Sequence, residues 1–239
     1  MKFSSIYKHT FVFVLALLLF TTQFHAQSAS SNELVKIDQT IGYQNLPYIN
    51  GKLHLNYDNT INKNNHRYFD ENEFTSGDIT YNGQNYFGLK LKYDLKEDVL
   101  VCLPDQENNY IKINLISDYI TEFSLGNKKF KNLTNELKAK FKKGFYEKKI
   151  ETKQATLYIK HSKSALEIVK NNNTQKEYFL KKEHLIFAKN NYFPVDSERD
   201  LIEIFPEMKA EIKSYYEKNE KLEKDNQTEF IIAFLKLLK

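Results

Sequence analysis

The fold is decided by one short stretch at residues 79–93, ITYNGQNYFGLKLKY. Asn82-Gly83 is the dipeptide that most readily takes the two positive φ angles of a type I′ turn, and it joins two β-strands in register. After this turn, large apolar residues from Phe87 to Tyr93 alternate with glycine or lysine, which is typical of a strand with one buried and one solvated face. The stretch therefore predicts a β-hairpin inside an antiparallel sheet.

Further strands are predicted on the C-terminal side of this hairpin, because similar apolar runs are separated by short polar connections. They lie at residues 99–103, 111–115, 119–125, 128–130, 145–150, 155–159, 166–169, 177–180, 184–188 and 192–195. Strands joined by such short turns must be antiparallel. Between them, Leu133, Leu137 and Phe141 recur every four residues and favour a short helix or helical loop. We predict a mostly β, α+β protein built on an antiparallel meander, which is an open sheet, a half-barrel or a barrel.

The hydrophobic period changes near residue 196, where Ser197 and Asp200 form a helix-capping pattern. Pro206 suits the first turn of a second helix, and Asn226 with Glu229 caps a third. We therefore predict two or three C-terminal amphipathic helices that pack on the sheet.

The N-terminus resembles a secretory signal. Lys2 and Lys8 precede an apolar core at residues 11–20, which is too short to span a bilayer, and small residues permit cleavage after Ala26 or Ser28. The predicted divisions are a signal peptide (1–28), a polar, partly disordered segment with weak strands (29–72), a β-meander domain (73–195) and C-terminal helices (196–239). We expect export to the periplasm or the exterior, without a lipid anchor because no cysteine follows the signal core, and without a later transmembrane segment.

Composition excludes several classes of function. The net charge is +4, but lysines are interspersed with glutamates and the chain has only two arginines, which argues against a nucleic-acid surface. Cys102 is the only cysteine, so no intramolecular disulfide can form, and its apolar surroundings predict a core residue. Four histidines follow the signal, and none has metal-ligand spacing; we predict no metal and no cofactor. They are His54, His66, His161 and His184.

Two arrangements could carry chemistry, although a structural role is favoured for each. His66 is followed by Asp70, Glu71 and Glu73, which suits proton transfer or a hard cation, but no calcium-loop pattern is present. Asp94, Glu97 and Asp98 fall at a strand connection, where aspartate is wanted for turn geometry. Ser162 and Ser164 flank His161, but neighbouring residues of a strand point to opposite faces, so no local triad forms.

Aromatic residues are numerous, with 16 tyrosines, 18 phenylalanines and no tryptophan. Most are expected in half-buried strand faces. From their positions in or near predicted strands, the residues we predict to contact a ligand or partner are Tyr86, Tyr93, Tyr110 and Tyr119.

Several blocks together resemble a group of uncharacterised secreted proteins of Bacteroidetes-type bacteria. The blocks are residues 77–83, 91–94 and 98–101, then GFYE at 144–147, YFPV at 192–195 and Phe205-Pro206. The resemblance covers about residues 66–238. The chain differs from the group around residues 131–143 and in its longer, Asn-rich N-terminal part. It implies an exported protein with a β-rich body and a helical tail, and brings no catalytic residues.

The leading interpretation is an exported, non-enzymatic binding or assembly module of the cell envelope. It would offer a concave face or a sheet edge to an envelope protein or a glycan. The alternative is a small secreted hydrolase that uses His66 with Asp70 or Asp94.

Overall fold

One open antiparallel sheet of eleven strands forms the body of the protein in its computed structural model, which describes residues 30–56, 58, 64–104, 111–170 and 173–238. The strands are β1 (Lys52–Leu53), β2 (Thr75–Tyr81), β3 (Gln84–Asp94), β4 (Val99–Leu103), β5 (Ile113–Asn114), β6 (Ile120–Leu125), β7 (Lys128–Asn132), β8 (Phe145–Glu151), β9 (Ala155–Lys170), β10 (Asn173–Ala188) and β11 (Asn191–Pro194). Their order in the sheet is β1-β5-β4-β3-β2-β6-β7-β8-β9-β10-β11. The predicted mostly β class is confirmed.

The predicted hairpin lies at the centre of this order. Asn82 and Gly83 both have positive φ, at 51° and 77°, and β2 pairs antiparallel with β3 directly across them. The meander changes direction once: after β5 a 3₁₀ turn (Ser117–Tyr119) brings the chain back, and β6 pairs with β2 instead of β5. Strands therefore grow outward from the central hairpin on both sides.

Four α-helices occur in the described part of the chain: α1 (Ser31–Ile41), α2 (Glu198–Ile204), α3 (Lys209–Asp225) and α4 (Gln227–Leu235). The C-terminal helices are confirmed, and α3 is interrupted by a kink at Asn219. Helix α1 falls where disorder or loose attachment is predicted; a capping box formed by Ser30 and Glu33 begins it, and none of its residues is buried.

Three apolar clusters hold these elements together. The first fills one face of β2–β7 and includes Tyr86, Tyr93 and Phe130. The second lies between β9–β10 and the C-terminal helices, and the third packs Leu133 and Leu137 against Tyr158. Leu157 and Tyr158 are neighbours in β9 but belong to different clusters, so this end of β9 is covered on both faces.

Two segments differ from the sequence prediction. Residues 133–141 form successive turns without a helix, although Leu133 and Leu137 are buried as their spacing suggests. The four short strands expected between residues 155 and 188 are two continuous strands of 16 residues, β9 and β10. Polar residues at 161–164 and 181–183 suggested breaks, but they pair with each other across the two strands, so the ladder continues.

No helix within the described residues is long and apolar enough to cross a membrane. The predicted signal peptide lies outside the described residues.

Candidate functional site

The candidate site is the outer part of the β9–β10 hairpin, residues 160–170 and 173–183, which we call the arm. The pairing of β8 with β9 ends at Ile159, and that of β11 with β10 ends at Leu185. Beyond these positions β9 and β10 pair only with each other among the described strands. The arm is therefore a two-stranded ribbon that extends past its neighbours in the sheet.

Backbone orientation along the arm follows from one contact. The N–H of Tyr178 donates to Asn65 Oδ1 at 2.6 Å, and its carbonyl accepts from Asn65 Nδ2 at 3.0 Å, so both groups point away from β9. In an antiparallel pair, opposite residues either bond each other or both point outward, in alternation. Ala165 lies opposite Tyr178, so its backbone groups point outward from β9 on the other side.

The same alternation applies to every second residue of β9. The N–H of Lys163 points outward and donates to the carbonyl of Leu95 at 3.2 Å. At Ala165, Glu167 and Val169 the outward N–H and carbonyl groups bond no described residue. We call the backbone of these three residues the free edge.

Apolar side chains are exposed around the free edge. Val169 is 73 % exposed and Leu166 is 54 % exposed, while Phe179 and Leu180 on β10 are about half exposed. Residues 160–183 also include six lysines and three glutamates. The arm thus combines backbone groups that have no partner among the described residues with exposed apolar side chains and net positive charge.

The middle of the arm is held by a buried ionic network. Arg67 Nε lies 2.7 Å from Asp94 Oδ2, and Arg67 NH1 lies 3.3 Å from Asp58 Oδ2. Lys176 of the arm donates to Asp58 Oδ1 at 2.6 Å, and the Tyr178 hydroxyl donates to the other oxygen of Asp58. Burial alone would raise the pKa of Asp58, but these hydrogen bonds and cations lower it overall, so the carboxylate stays charged.

A second attachment lies beside the network. Lys163 Nζ donates to the backbone carbonyls of His66, at 2.6 Å, and Tyr68, at 2.8 Å. The segment around Arg67 is therefore clamped under the arm by Lys163 from β9 and by Tyr178 from β10. These contacts give the arm a defined position relative to the sheet.

The residues proposed for hydrolysis have separate partners in the structure. His66 is buried, and its Nδ1 accepts from the N–H of Tyr68. Asp94 is 0 % exposed and is held by Arg67 and by the N–H groups of Lys96 and Glu97. Asp70 is exposed and ion-paired with Lys128. All three have structural contacts, and the hydrolase alternative stays a prediction.

Of the other candidate side chains, His161 is buried and its Nε2 lies 2.7 Å from Glu147 Oε2. Burial alone would raise the pKa of Glu147, but the hydrogen bond from His161 and the nearby Lys149 lower it overall. Cys102 is buried in the first cluster, as expected, and burial raises its pKa to about 12, which keeps the thiol protonated. No group of histidine, cysteine, aspartate and glutamate in the described ranges is arranged to hold a metal ion.

The four tyrosines suggested as contact residues fall in different places. Tyr86 and Tyr93 are fully buried in the first cluster, because their strand faces the core at these positions, so neither side chain can reach a partner. Tyr119 is exposed, and its contact with a ligand or partner stays a prediction. Tyr110 lies outside the described residues. The exposed apolar residues of the arm were not identified from the sequence.

His184, near the base of the arm, predicts a pH effect on stability. Its Nε2 lies 2.9 Å from Thr228 Oγ1 of α4, and its Nδ1 is buried without a partner in the described part of the chain. Burial, helped by the charges of Lys182 and His161, lowers its pKa to about 4. The unfolded chain, with a histidine pKa of about 6.5, binds a proton that the folded chain does not.

The contribution of neutral His184 to the free energy of unfolding is therefore fully present above about pH 6.5 and is lost as the pH falls towards 4. In the variant His184→Gln, we expect the free energy of unfolding to fall less steeply as the pH decreases from about 6.5 to about 4. The difference in slope should correspond to at most one fewer proton taken up on unfolding. Urea unfolding at several pH values measures the slope. Parallel curves for the two proteins would mean that His184 does not titrate differently on folding.

Comparison with known proteins gives no relatives for this chain: no family model, no curated protein and no solved structure matches it.

Proposed function

We propose that this protein is an exported binding module of the cell envelope, and that the free edge of its arm accepts an extended segment of a partner protein as an added strand. The observation that carries the proposal is that the outward N–H and carbonyl groups at Ala165, Glu167 and Val169 bond no residue in the described part of the chain. Export is inferred from the signal-like N-terminal sequence.

Strand addition suits this edge physically. Backbone groups of an edge strand form hydrogen bonds with any extended chain, and side chains on alternate positions then give selectivity. Three outward positions spaced by two residues match an extended segment of about five to seven residues. The exposed Val169 and Leu166 offer apolar surface to the side chains of that segment.

The charge of the arm narrows the class of partner. The net positive charge of the arm opposes pairing with a second copy of the same strand, because like charges repel. Lys160 and Lys176 are paired with Asp98 and Asp58, which leaves four lysines against three glutamates in residues 160–183, and this excess favours an acidic segment. The proposed partner is therefore a protein with an exposed, extended acidic stretch that contains β-branched residues.

Titration with three synthetic peptides tests this proposal by amide NMR. The first peptide has seven residues that alternate valine and glutamate, the second replaces glutamate by lysine, and the third is the first with a central proline. We expect saturable shifts of the amides of Ala165, Glu167 and Val169 with the first peptide. The lysine and proline copies should bind at least about tenfold more weakly, which corresponds to about 1.4 kcal/mol.

The proposal is rejected if the acidic peptide causes no saturable shift, or if the shifts lie away from the arm. Equal binding of the proline copy would also reject it, because a central proline removes a backbone donor that an added strand needs.

A further inference from the structure

A cleft lies on the outer face of β3–β5. It lies between these strands and the segment 72–74, and is lined by Asn72, Glu73, Phe74, Lys90, Lys92, Leu103 and Lys112, with a volume of about 570 Å³. A smaller adjoining cavity of about 280 Å³ shares four of these residues and adds His54 and Tyr68 among others.

Strand geometry brings the lysines together. Lys90 and Lys92 alternate with the buried Leu91 on β3, so both point to the outer face. Lys92 lies opposite Val101 of β4, and Val101 lies opposite Asn114 of β5, two residues after Lys112. Three lysines therefore line one cleft, two from β3 and one from the residue just before β5.

Lys92 is held at the centre of this arrangement. Its Nζ donates to the carbonyl of Asn72 at 2.8 Å and to the Asn72 side chain at 3.1 Å. It also lies 4.4 Å from the ring centre of Tyr68 and 4.7 Å from that of Phe74. These contacts fix the ammonium group without an anionic partner at hydrogen-bonding distance among the described residues.

The charges in the cleft are not balanced by the described lining, which has three lysines and one acid, Glu73. Burial lowers the pKa of Lys92 to about 8, and Lys112 adds to this effect while Glu73 opposes it. A bound anion would stabilise the charged form of Lys92 and reduce its repulsion from Lys112.

We propose that this cleft binds the phosphate group of a small phosphorylated molecule. Ammonium groups are strong donors to phosphate oxygens, and several lysines around one space can contact different oxygens of one group. The volume exceeds that of a phosphate ion and leaves room for an attached polar group such as a sugar, with the side-chain N–H groups of Asn72 and the carboxylate of Glu73 available for its hydroxyls. The free ion and a sugar phosphate share the chemistry of this site.

Calorimetric titration with inorganic phosphate and with glucose 6-phosphate separates these two sources, and unphosphorylated glucose serves as the negative probe. We expect saturable binding of at least one phosphate probe and none of glucose. The variant Lys92→Met keeps the aliphatic contacts with the rings and should lose at least about tenfold in affinity. The control Lys129→Met removes the same charge at an exposed site on β7 and should change affinity less than about twofold.

A chemical readout gives independent evidence from the unmodified protein. An amine with a pKa near 8 is acylated faster at pH 8 than ordinary lysines, because more of it is unprotonated. Mass spectrometry should show fast labelling of Lys92 that the bound phosphate probe slows. The proposal is overturned if neither phosphate probe binds, or if Lys92→Met and Lys129→Met weaken binding equally.

Discussion

Replacing Gly144 with alanine is expected to destabilise the protein by about 4 kcal/mol or more. Gly144 has φ +108°, a region that residues with a Cβ atom rarely adopt. A Cβ built at this position would lie 1.7 Å from Asp98 Oδ2 and 2.8 Å from Lys160 Nζ. Asp98 cannot move away freely, because one of its oxygens accepts from the Tyr93 hydroxyl and the other from Lys160 Nζ at 2.6 Å. Lys160 is itself held by the Phe145 carbonyl at 3.1 Å.

The variant Gly88→Ala is the matched control for this prediction. Gly88 also has a positive φ, +67°, but nothing lies within 4 Å of a Cβ added there. Gly88→Ala should lower the free energy of unfolding only by the backbone strain, about 1 to 2 kcal/mol. Urea unfolding midpoints compare the two variants. Similar losses would show that Asp98 and Lys160 rearrange around the new methyl group, contrary to the expected clash.

Replacing Arg67 with methionine is expected to lower the free energy of unfolding by about 3 to 5 kcal/mol. Arg67 is the cation between two buried carboxylates, Asp58 and Asp94, and removing it leaves the fully buried Asp94 without a counter-charge. The nearby aspartates raise the pKa of Arg67 even though burial opposes this, which is consistent with a charged and paired guanidinium.

Arg199, the other arginine of the chain, is exposed at the start of α2 and provides the control. Arg199→Met should change the unfolding free energy by less than about 0.5 kcal/mol. The double variant Arg67→Met/Asp94→Asn should recover part of the loss, because the amide is neutral and can still accept the N–H groups of Lys96 and Glu97. No recovery would mean that packing of Arg67, and not its charge, stabilises this region.

Local features of this fold could be predicted from the sequence. The Asn82-Gly83 turn and the Ser197 cap depend on residues next to each other in the chain, and both occur as predicted. The cap at the start of α1 has the same kind of local signal, Ser30 and Glu33 at capping-box spacing, but the polar segment around it favours disorder.

The candidate site could not be predicted in this way. Whether the backbone of Glu167 is free depends on where β8 stops, and no residue near Glu167 carries that information. The same is true of the buried network, because Arg67 and Lys176 meet Asp58 only after the arm has crossed the segment around residue 66. Tyr86 shows the converse: its strand was predicted, but the register shift between β2 and β3 at Gly77 and Ile79 changes the alternation of faces, and Tyr86 is buried.

The central claim is that the edge of β9 is open and accepts a strand through its backbone. Its most direct test is the affinity of the valine–glutamate peptide for Glu167→Pro and Glu167→Ala. Both variants remove the same charge, but only proline removes the outward N–H, and it breaks no bond between β9 and β10. We predict that Glu167→Pro folds and binds the peptide at least about tenfold more weakly than Glu167→Ala. Equal affinity of the two folded variants would contradict strand addition at this edge.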